Sequence, residues 1–165
     1  MELAQFKSIF DEYYHPIKNF LYYKLGDVAL AEDITQEVFM KAWEKRDQIV
    51  VETVKSYLYK IAGNLAINHF KSAKSNYEFE LKPENPTPSS TEQPDYTMEK
   101  DEFAKKLETA IGALTENQRI VFLMNRIDDL TYKEIAKRLD LSVKAVEKRM
   151  HNALEALRQI IDHKL

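Results

Sequence analysis

The chain of 165 residues contains no cysteine and only three glycines. Without cysteine there is neither a disulfide framework nor a thiolate metal site, and a reducing compartment is compatible with the composition. With so little glycine and no sustained apolar/polar alternation, a turn-rich β fold is not expected. No apolar run approaches the roughly 20 residues needed to span a bilayer. The opening stretch MELAQFKSIFDEYYHP carries acids among its first dozen residues and no basic start before an apolar run, so it does not read as a signal peptide. Sequence signatures of a phosphate-binding loop, a nucleophile elbow and a zinc-protease helix are all missing, and the four histidines show no ligand spacing. The expectation is a cytoplasmic protein with no cofactor, no metal and no catalytic centre, hence not an enzyme.

Proline is scarce except in one place. Four of the five prolines fall at Pro83, Pro86, Pro88 and Pro94. The run PENPTPSSTEQPD around them is expected not to sustain a helix, because proline removes a donor and clashes with the preceding turn. The net charge is only −3, but it is segregated. Residues 75–99 carry one base, Lys82, against Glu78, Glu80, Glu84, Glu92, Asp95 and Glu99. From Thr53 to Tyr77 there is no acid, only Lys55, Lys60, Lys71 and Lys74. The spacing therefore predicts an all-α chain of two small helical domains, 1–74 and 100–165, joined by a flexible, acidic, proline-rich linker at 75–99. Each domain is small for an independent core.

The most informative stretch is TYKEIAKRLDLSVKAVEKRMHNALEALR, residues 131–158. Thr131 and Glu134 have capping-box spacing, so a helix is expected from Tyr132, with Ile135, Ala136 and Leu139 on its apolar face. Asp140-Leu141 fits a tight turn. Ser142 can cap a second helix whose inner face is Val146, Met150, Ala153 and Leu157. This is a helix-turn-helix pattern. The outer face carries Lys144, Glu147, Lys148, Arg149, His151 and Asn152, side chains able to reach base edges and phosphates in a major groove. An ordinary two-helix hairpin is the structural alternative.

The rest of the chain outside the linker also reads as helical segments. Phe6, Ile9, Phe10, Tyr13 and Tyr14 form a stripe, and Pro16-Ile17 is expected to begin a separate segment ending near Gly26. In AEDITQEVFMKAWEK, residues 31–45, Ala31, Ile34, Val38, Ala42 and Trp43 turn inward while Asp33, Gln36, Glu37, Met40, Lys41 and Glu44 surround the exposed side. Asp33 and Glu37 stand four residues apart, but a protein-binding or solvated face is favoured over catalysis. After a loop at Asp47–Glu52, a long helix from about Val54 to Ser72 is expected. It packs Leu58, Ile61, Ala62 and Leu65 inward and sets Lys60, Asn64, Ile67, Asn68 and Lys71 along an acid-free strip suited to a nucleic-acid backbone and base edges. Tyr57, Tyr59 and Phe70 supply rings for packing or base stacking. Beyond the linker, Phe103, Leu107, Ala110, Ile111 and Leu114 form a stripe. Thr115 and Gln118 then repeat the capping-box spacing before a helix at Arg119–Ile127.

Taken together, AEDITQEVFMKAWEK, VKSYLYKIAGNLAINHF and LTENQRIVFLMNRIDDLTYKEIAKRLDLSVKAVEKRM, in this order and with a linker between the second and third, resemble the extracytoplasmic-function sigma factors. These are compact bacterial transcription-initiation factors. The resemblance implies that Asp33, Gln36, Glu37 and Lys41 lie in a helix docking on the β′ clamp helices of core RNA polymerase, with the β subunit a further partner. It implies that Asn64 lies near an extruded base of the minus-ten element, beside a specificity loop at Asp47–Glu52. Extruding that base sacrifices stacking, so a formed pocket is needed. It also implies that the C-terminal domain reads the minus-thirty-five element as duplex, and that an anti-sigma factor is a partner. Asp140 stands where members often have glycine, and Asn152 and Leu154 replace residues that are often basic. Glu147 on the reading face can accept from cytosine N4 but repels phosphate. As a coil, the linker averages roughly 25–30 Å, and in extended polyproline geometry it reaches roughly 75 Å. The competing possibilities are a helix-turn-helix regulator that binds DNA without joining polymerase, a helical enzyme acting on nucleic acid, and a helical adaptor that binds only protein. The first leaves the exposed face of Ala31–Lys45 unexplained.

Overall fold

The computed structural model describes residues 1–72, 79–81 and 94–163, and every regular element among them is helical. In chain order these are α1 (Leu3–Leu25), α2 (Val28–Glu44), two 3-10 turns (Arg46–Gln48 and Val51–Thr53), α3 (Val54–Ser72), α4 (Pro94–Ala113), α5 (Glu116–Arg126), α6 (Tyr132–Leu139) and α7 (Val143–His163).

The first three helices pack on one another. Ile9, Tyr13, Ile17, Phe20 and Leu21 form one continuous buried stripe along α1. The break expected at Pro16 does not occur, since α1 runs through it. An interior proline costs about 3 kcal/mol. Here the stripe continues on both sides of Pro16 against α2 and α3, and that burial outweighs the lost hydrogen bond. Gly26 ends α1 in a left-handed conformation, φ 72°, with its N–H donating to the Tyr22 carbonyl at 2.7 Å. Asp27 then caps α2, its Oδ1 accepting from the Leu30 N–H at 3.0 Å. Ala31, Ile34, Val38 and Ala42 are buried as the spacing requires, and Trp43 is half-buried. Edge-on aromatic pairs join the free end of α1 to α2, with ring centroids 4.9 Å apart for both Phe6–Trp43 and Phe10–Phe39.

In the C-terminal half, α4, α5 and α6 pack on α7. Thr115 with Gln118 and Thr131 with Glu134 both form complete capping boxes. Asp140 ends α6 at φ 55°, the left-handed conformation more commonly given to glycine. The Ser142 hydroxyl accepts from the Ala145 N–H at 3.1 Å, and Val146, Met150, Ala153 and Leu157 are all buried. Two expectations change. Helix α4 starts at Pro94, inside the segment expected to be linker, because proline at the first helical position loses only an N–H that would have no helical partner. Phe103 remains 60% exposed although Ala110, Ile111 and Leu114 of the same stripe are buried. It lies near the last turns of α7, at Ile160 and Ile161, where little helix remains to cover it.

The two halves are in contact. α5 packs on α1, α6 packs on α3, and the buried residues from Ile9 to Leu157 form one cluster. Phe79, from the linker stretch, is buried between the rings of Tyr22 and Tyr23.

Candidate nucleic-acid and polymerase-binding surfaces

Helix α3 separates its two sides as its sequence requires. Leu58, Ala62, Leu65 and Ala66 are buried and Ile61 is half-buried, while Lys60, Asn64, Ile67 and Asn68 are exposed. The side chain of Lys71, and that of Phe70, lie outside the described residues. Gly63, next to Asn64, has open space where a side chain would project. The Asp47–Glu52 segment is not an irregular loop but two 3-10 turns flanking Ile49 and Val50. Val50 and Val51 are exposed there, 56% and 49%. A tightly turned segment with two exposed valines among polar residues thus precedes α3 and its polar strip.

Helix α7 presents Lys144, Glu147, Lys148, His151 and Asn152 to solvent, with Arg149 half-buried. Because Val146, Met150, Ala153 and Leu157 hold the opposite face, the exposed polar face is fixed in rotation about the helix axis. On α2, Asp33, Gln36, Met40 and Lys41 are exposed and Glu37 is half-buried. Met40 is 65% exposed in the middle of that face, an apolar centre with a polar rim. Glu37 does not face an open surface alone, since its Oε2 lies 3.8 Å from His69 Nε2 of α3. That pair ties the α2 face to the end of the α3 strip. Its members are far apart in sequence, so spacing gave no sign of it. Among the described residues no group of three or more acids and histidines is placed to hold a metal.

Tyr59 is not a stacking platform in this arrangement. It is 4% exposed, lies edge-on to Phe20 with centroids 5.2 Å apart, and accepts from Arg138 Nη1 of α6 at 3.1 Å. Burial pushes its phenol up to about 12, against the opposing pull of the Arg138 guanidinium. Tyr57 is half-buried and lines, with Ser56, Lys60, Arg138 and Asp140, a cleft of about 570 Å³ between α3 and α6.

Several residues that join the halves had no sequence signal. Arg119, 6% exposed, donates from Nε to the Tyr23 carbonyl at 2.8 Å and from Nη1 to the Leu114 carbonyl at 2.9 Å. Asp128 Oδ1 accepts from the Tyr23 hydroxyl at 2.6 Å and from Asn19 Nδ2 at 3.3 Å. Lys24 pairs with Glu116. Each is a single charged or polar residue on a helix or turn with a partner far away in sequence, and only packing of the halves reveals that pairing.

With these surfaces in place, comparison with known proteins identifies the two halves. Residues 9–76 match the model for sigma-70 region 2, and residues 104–157 match that for sigma-70, region 4. The ECF RNA polymerase sigma factor SigW of Bacillus subtilis (strain 168) is 31% identical over 163 residues, covering 93% of this chain and 87% of SigW. The ferric citrate uptake sigma factor FecI of Escherichia coli (strain K12) is 28% identical over 154 residues, covering 91% of this chain and 87% of FecI. The fold is similar to that of the sigma factor RpoE from Bartonella quintana, crystallised with the anti-sigma factor NepR. There the TM-score is 0.64 at 17% identity, with 97% of this chain and 98% of that chain covered. CnrH, in complex with the cytosolic domain of CnrY, gives a TM-score of 0.64 at 19% identity, covering 99% of this chain and 92% of that chain. Helix faces, chain order, both region matches and the likeness to SigW agree: the chain belongs to the extracytoplasmic-function sigma factors of the sigma-70 family, the transcription-initiation factors of bacterial RNA polymerase.

Proposed function

We propose that the chain divides promoter recognition between two exposed faces, one on each half. The observation that carries this is that α3 and α7 each bury an apolar side and leave a polar strip, rich in amides and cations, facing solvent. On α3, Lys60, Asn64, Asn68 and Lys71 engage the minus-ten element, with the turns at 46–53 beside them. Lys60, Asn68 and Lys71 hold the backbone, while Asn64 offers both a donor and an acceptor to an extruded base. Exposed Val50 and Val51, between and at the start of the second of those turns, supply the apolar surface on which that base is sheltered from water. On α7, Lys144, Lys148 and Arg149 anchor phosphates of the minus-thirty-five duplex, and Glu147, His151 and Asn152 read base edges.

The α2 face docks on core polymerase at the β′ clamp helices. Exposed Met40 supplies the apolar centre, and Asp33, Gln36, Glu37 and Lys41 set the register by charge and hydrogen bonding. No helix among the described residues is long and apolar enough to cross a membrane. We place the chain in the cytoplasm, with no catalytic chemistry of its own. RpoE and CnrH were each crystallised with a protein bound, NepR and the cytosolic domain of CnrY. An anti-sigma factor is accordingly assigned as a partner here.

Run-off transcription with purified core polymerase on a library of genomic promoters tests this. Discrete transcripts that require the chain are expected. Promoter DNA bound by the chain alone, with no initiation in the presence of core polymerase, would instead make it a helix-turn-helix regulator.

A further inference from the structure

We propose that the cleft between α3 and α6 is a binding site for a small nucleotide, with the terminal phosphate on Arg138, Tyr59 and Lys60 and the base against Tyr57. This binding goes beyond promoter reading and needs neither polymerase nor DNA. The cleft encloses about 570 Å³, within the roughly 300–1,000 Å³ of small-molecule sites. Ser56, Tyr57 and Lys60 line the α3 wall, and Arg138, Leu139 and Asp140 come from the end of α6 and its cap.

Two donors at this cleft lack acceptors. A guanidinium carries five N–H donors. Arg138 Nη1 donates to the Tyr59 hydroxyl at 3.1 Å, but Arg138 Nε is buried with no hydrogen-bond partner among the described residues. The Tyr59 hydroxyl accepts the Arg138 bond and donates none among the described residues, although a neutral phenol has a hydrogen to give. Buried donors left in this state are a standing cost that an acceptor removes. The charge is unmatched as well, since neither Arg138 nor Lys60 enters an ion pair among the described residues. The Thr53 and Ser56 hydroxyls are already committed, each donating to a backbone carbonyl at 3.2 Å. The cleft therefore offers a guanidinium, an ammonium and a phenol hydrogen, and a doubly charged oxyanion satisfies all three.

A phosphate monoester is such an anion. Its oxygens match the guanidinium fork and its second charge suits Lys60, whereas a carboxylate would match Arg138 alone. The rest of the lining selects what carries the phosphate. Tyr57 is half-buried there, and any base can stack on such a ring. Asp140, the one acid of the lining, can accept from ribose hydroxyls or base amines. A DNA strand fits less well. Its internal phosphates carry one charge and a sugar on each side, which suits exposed cations along the outer strip of α3. A terminal phosphate can enter end-on between two helices.

Isothermal titration of the full chain in phosphate-free buffer tests this, with AMP, GMP, inorganic phosphate and adenosine as probes. AMP and GMP should each bind roughly tenfold more tightly than inorganic phosphate or adenosine. Tyr57→Ala should weaken AMP roughly tenfold and leave inorganic phosphate unchanged. Tyr59→Phe should weaken AMP and inorganic phosphate alike, by roughly tenfold, and Arg138→Gln by more. Arg138→Lys keeps the charge without the fork and should recover part of that loss. Tyr59→Phe keeps the buried ring and carries the test if circular dichroism shows Arg138→Gln unfolded. Amide shifts on AMP binding should centre on Ser56, Tyr57 and Leu139. No binding of AMP or GMP at millimolar concentration would overturn the site. So would shifts centred on Lys144 and Lys148, or AMP binding undiminished in the folded Tyr59 and Arg138 variants, since exposed cations would then hold the anion. Equal affinity for AMP and inorganic phosphate would leave no place for a base and overturn the nucleotide. Thymidylyl-thymidine, whose phosphate is a diester, should bind weakly. If it binds as tightly as AMP, the cleft belongs to a DNA strand and the proposal is wrong.

Discussion

Tyr59 of α3 and Arg138 of α6 meet across the junction of the two halves, the guanidinium donating to the phenol oxygen at 3.1 Å. The ring is buried against Phe20, so of the two roles the sequence left open for it, packing and base stacking, it takes the first. Its hydroxyl is the one polar atom of the ring, and its placement joins α3 to the first helix of the helix-turn-helix.

The raised phenol pKa has a consequence for stability. Between the ordinary value near 10 and the folded value of about 12, the unfolded chain releases the proton and the folded chain keeps it. The contribution is therefore complete below pH 10 and is lost as pH rises toward 12. Chemical denaturation of wild type and Tyr59→Phe across that range should show the wild type losing about 1 kcal/mol more per pH unit. Parallel curves would mean that Tyr59 ionises as freely in the folded chain as in the unfolded one.

Arg119 is the most deeply placed cation among the described residues, and it holds backbone carbonyls of Tyr23 in α1 and of Leu114, just after α4. Arg119→Met keeps the stem volume and deletes the donors. Leaving those carbonyls without that partner should destabilise the chain by about 2–4 kcal/mol, measured by urea titration. A change below 0.5 kcal/mol would show that water replaces the guanidinium there.

Asp140 adopts φ 55° and is exposed at the helix-turn-helix turn. Asp140→Gly removes the side-chain clash of the left-handed conformation but adds entropy to the unfolded chain. Relief of a clash worth roughly 1–2 kcal/mol should win by a few tenths to 1 kcal/mol. The expected readout is a higher melting temperature with unchanged DNA affinity. A lower melting temperature would assign Asp140 a stabilising contact.

For duplex reading, Lys144→Ala and Lys148→Ala should weaken binding and each reduce the salt dependence by about one counterion. Glu147→Ala should leave affinity for mixed sequences intact and change base preference, a good base contact discriminating by about 1–3 kcal/mol. Sequence selection by each variant is the assay. Identical selected motifs for Glu147→Ala and wild type would remove its reading role, and unchanged salt slopes in both lysine variants would remove the assignment of α7 as the recognition helix.

For opening, Asn64→Ala should impair melting of the minus-ten element more than binding of the upstream duplex. Permanganate footprints of exposed thymines should fade, and a premelted template should restore part of the run-off yield. A normal footprint and normal yield would make Asn64 a surface amide of α3 with no role in the opened strand.

Local chemistry in the chain was enough to set the helices of the C-terminal half. Thr115 with Gln118, Thr131 with Glu134, and Ser142 cap helices where their spacing places them, because a cap needs only atoms within one turn. The inward faces of α2, α3 and α7 were legible for a related reason, since helical period alone puts Ile34 with Val38, Leu58 with Leu65, and Val146 with Met150. Tertiary structure decided what depends on partners distant in sequence. Packing along α1 carried the helix through Pro16, and the approach of α6 to α3 turned Tyr59 inward. The packing of α5 on α1 paired Asp128 with Tyr23 and placed Arg119 against the end of α1. Single polar residues of this kind carry no periodicity, and their role exists only once burial makes an unmatched donor or acceptor costly.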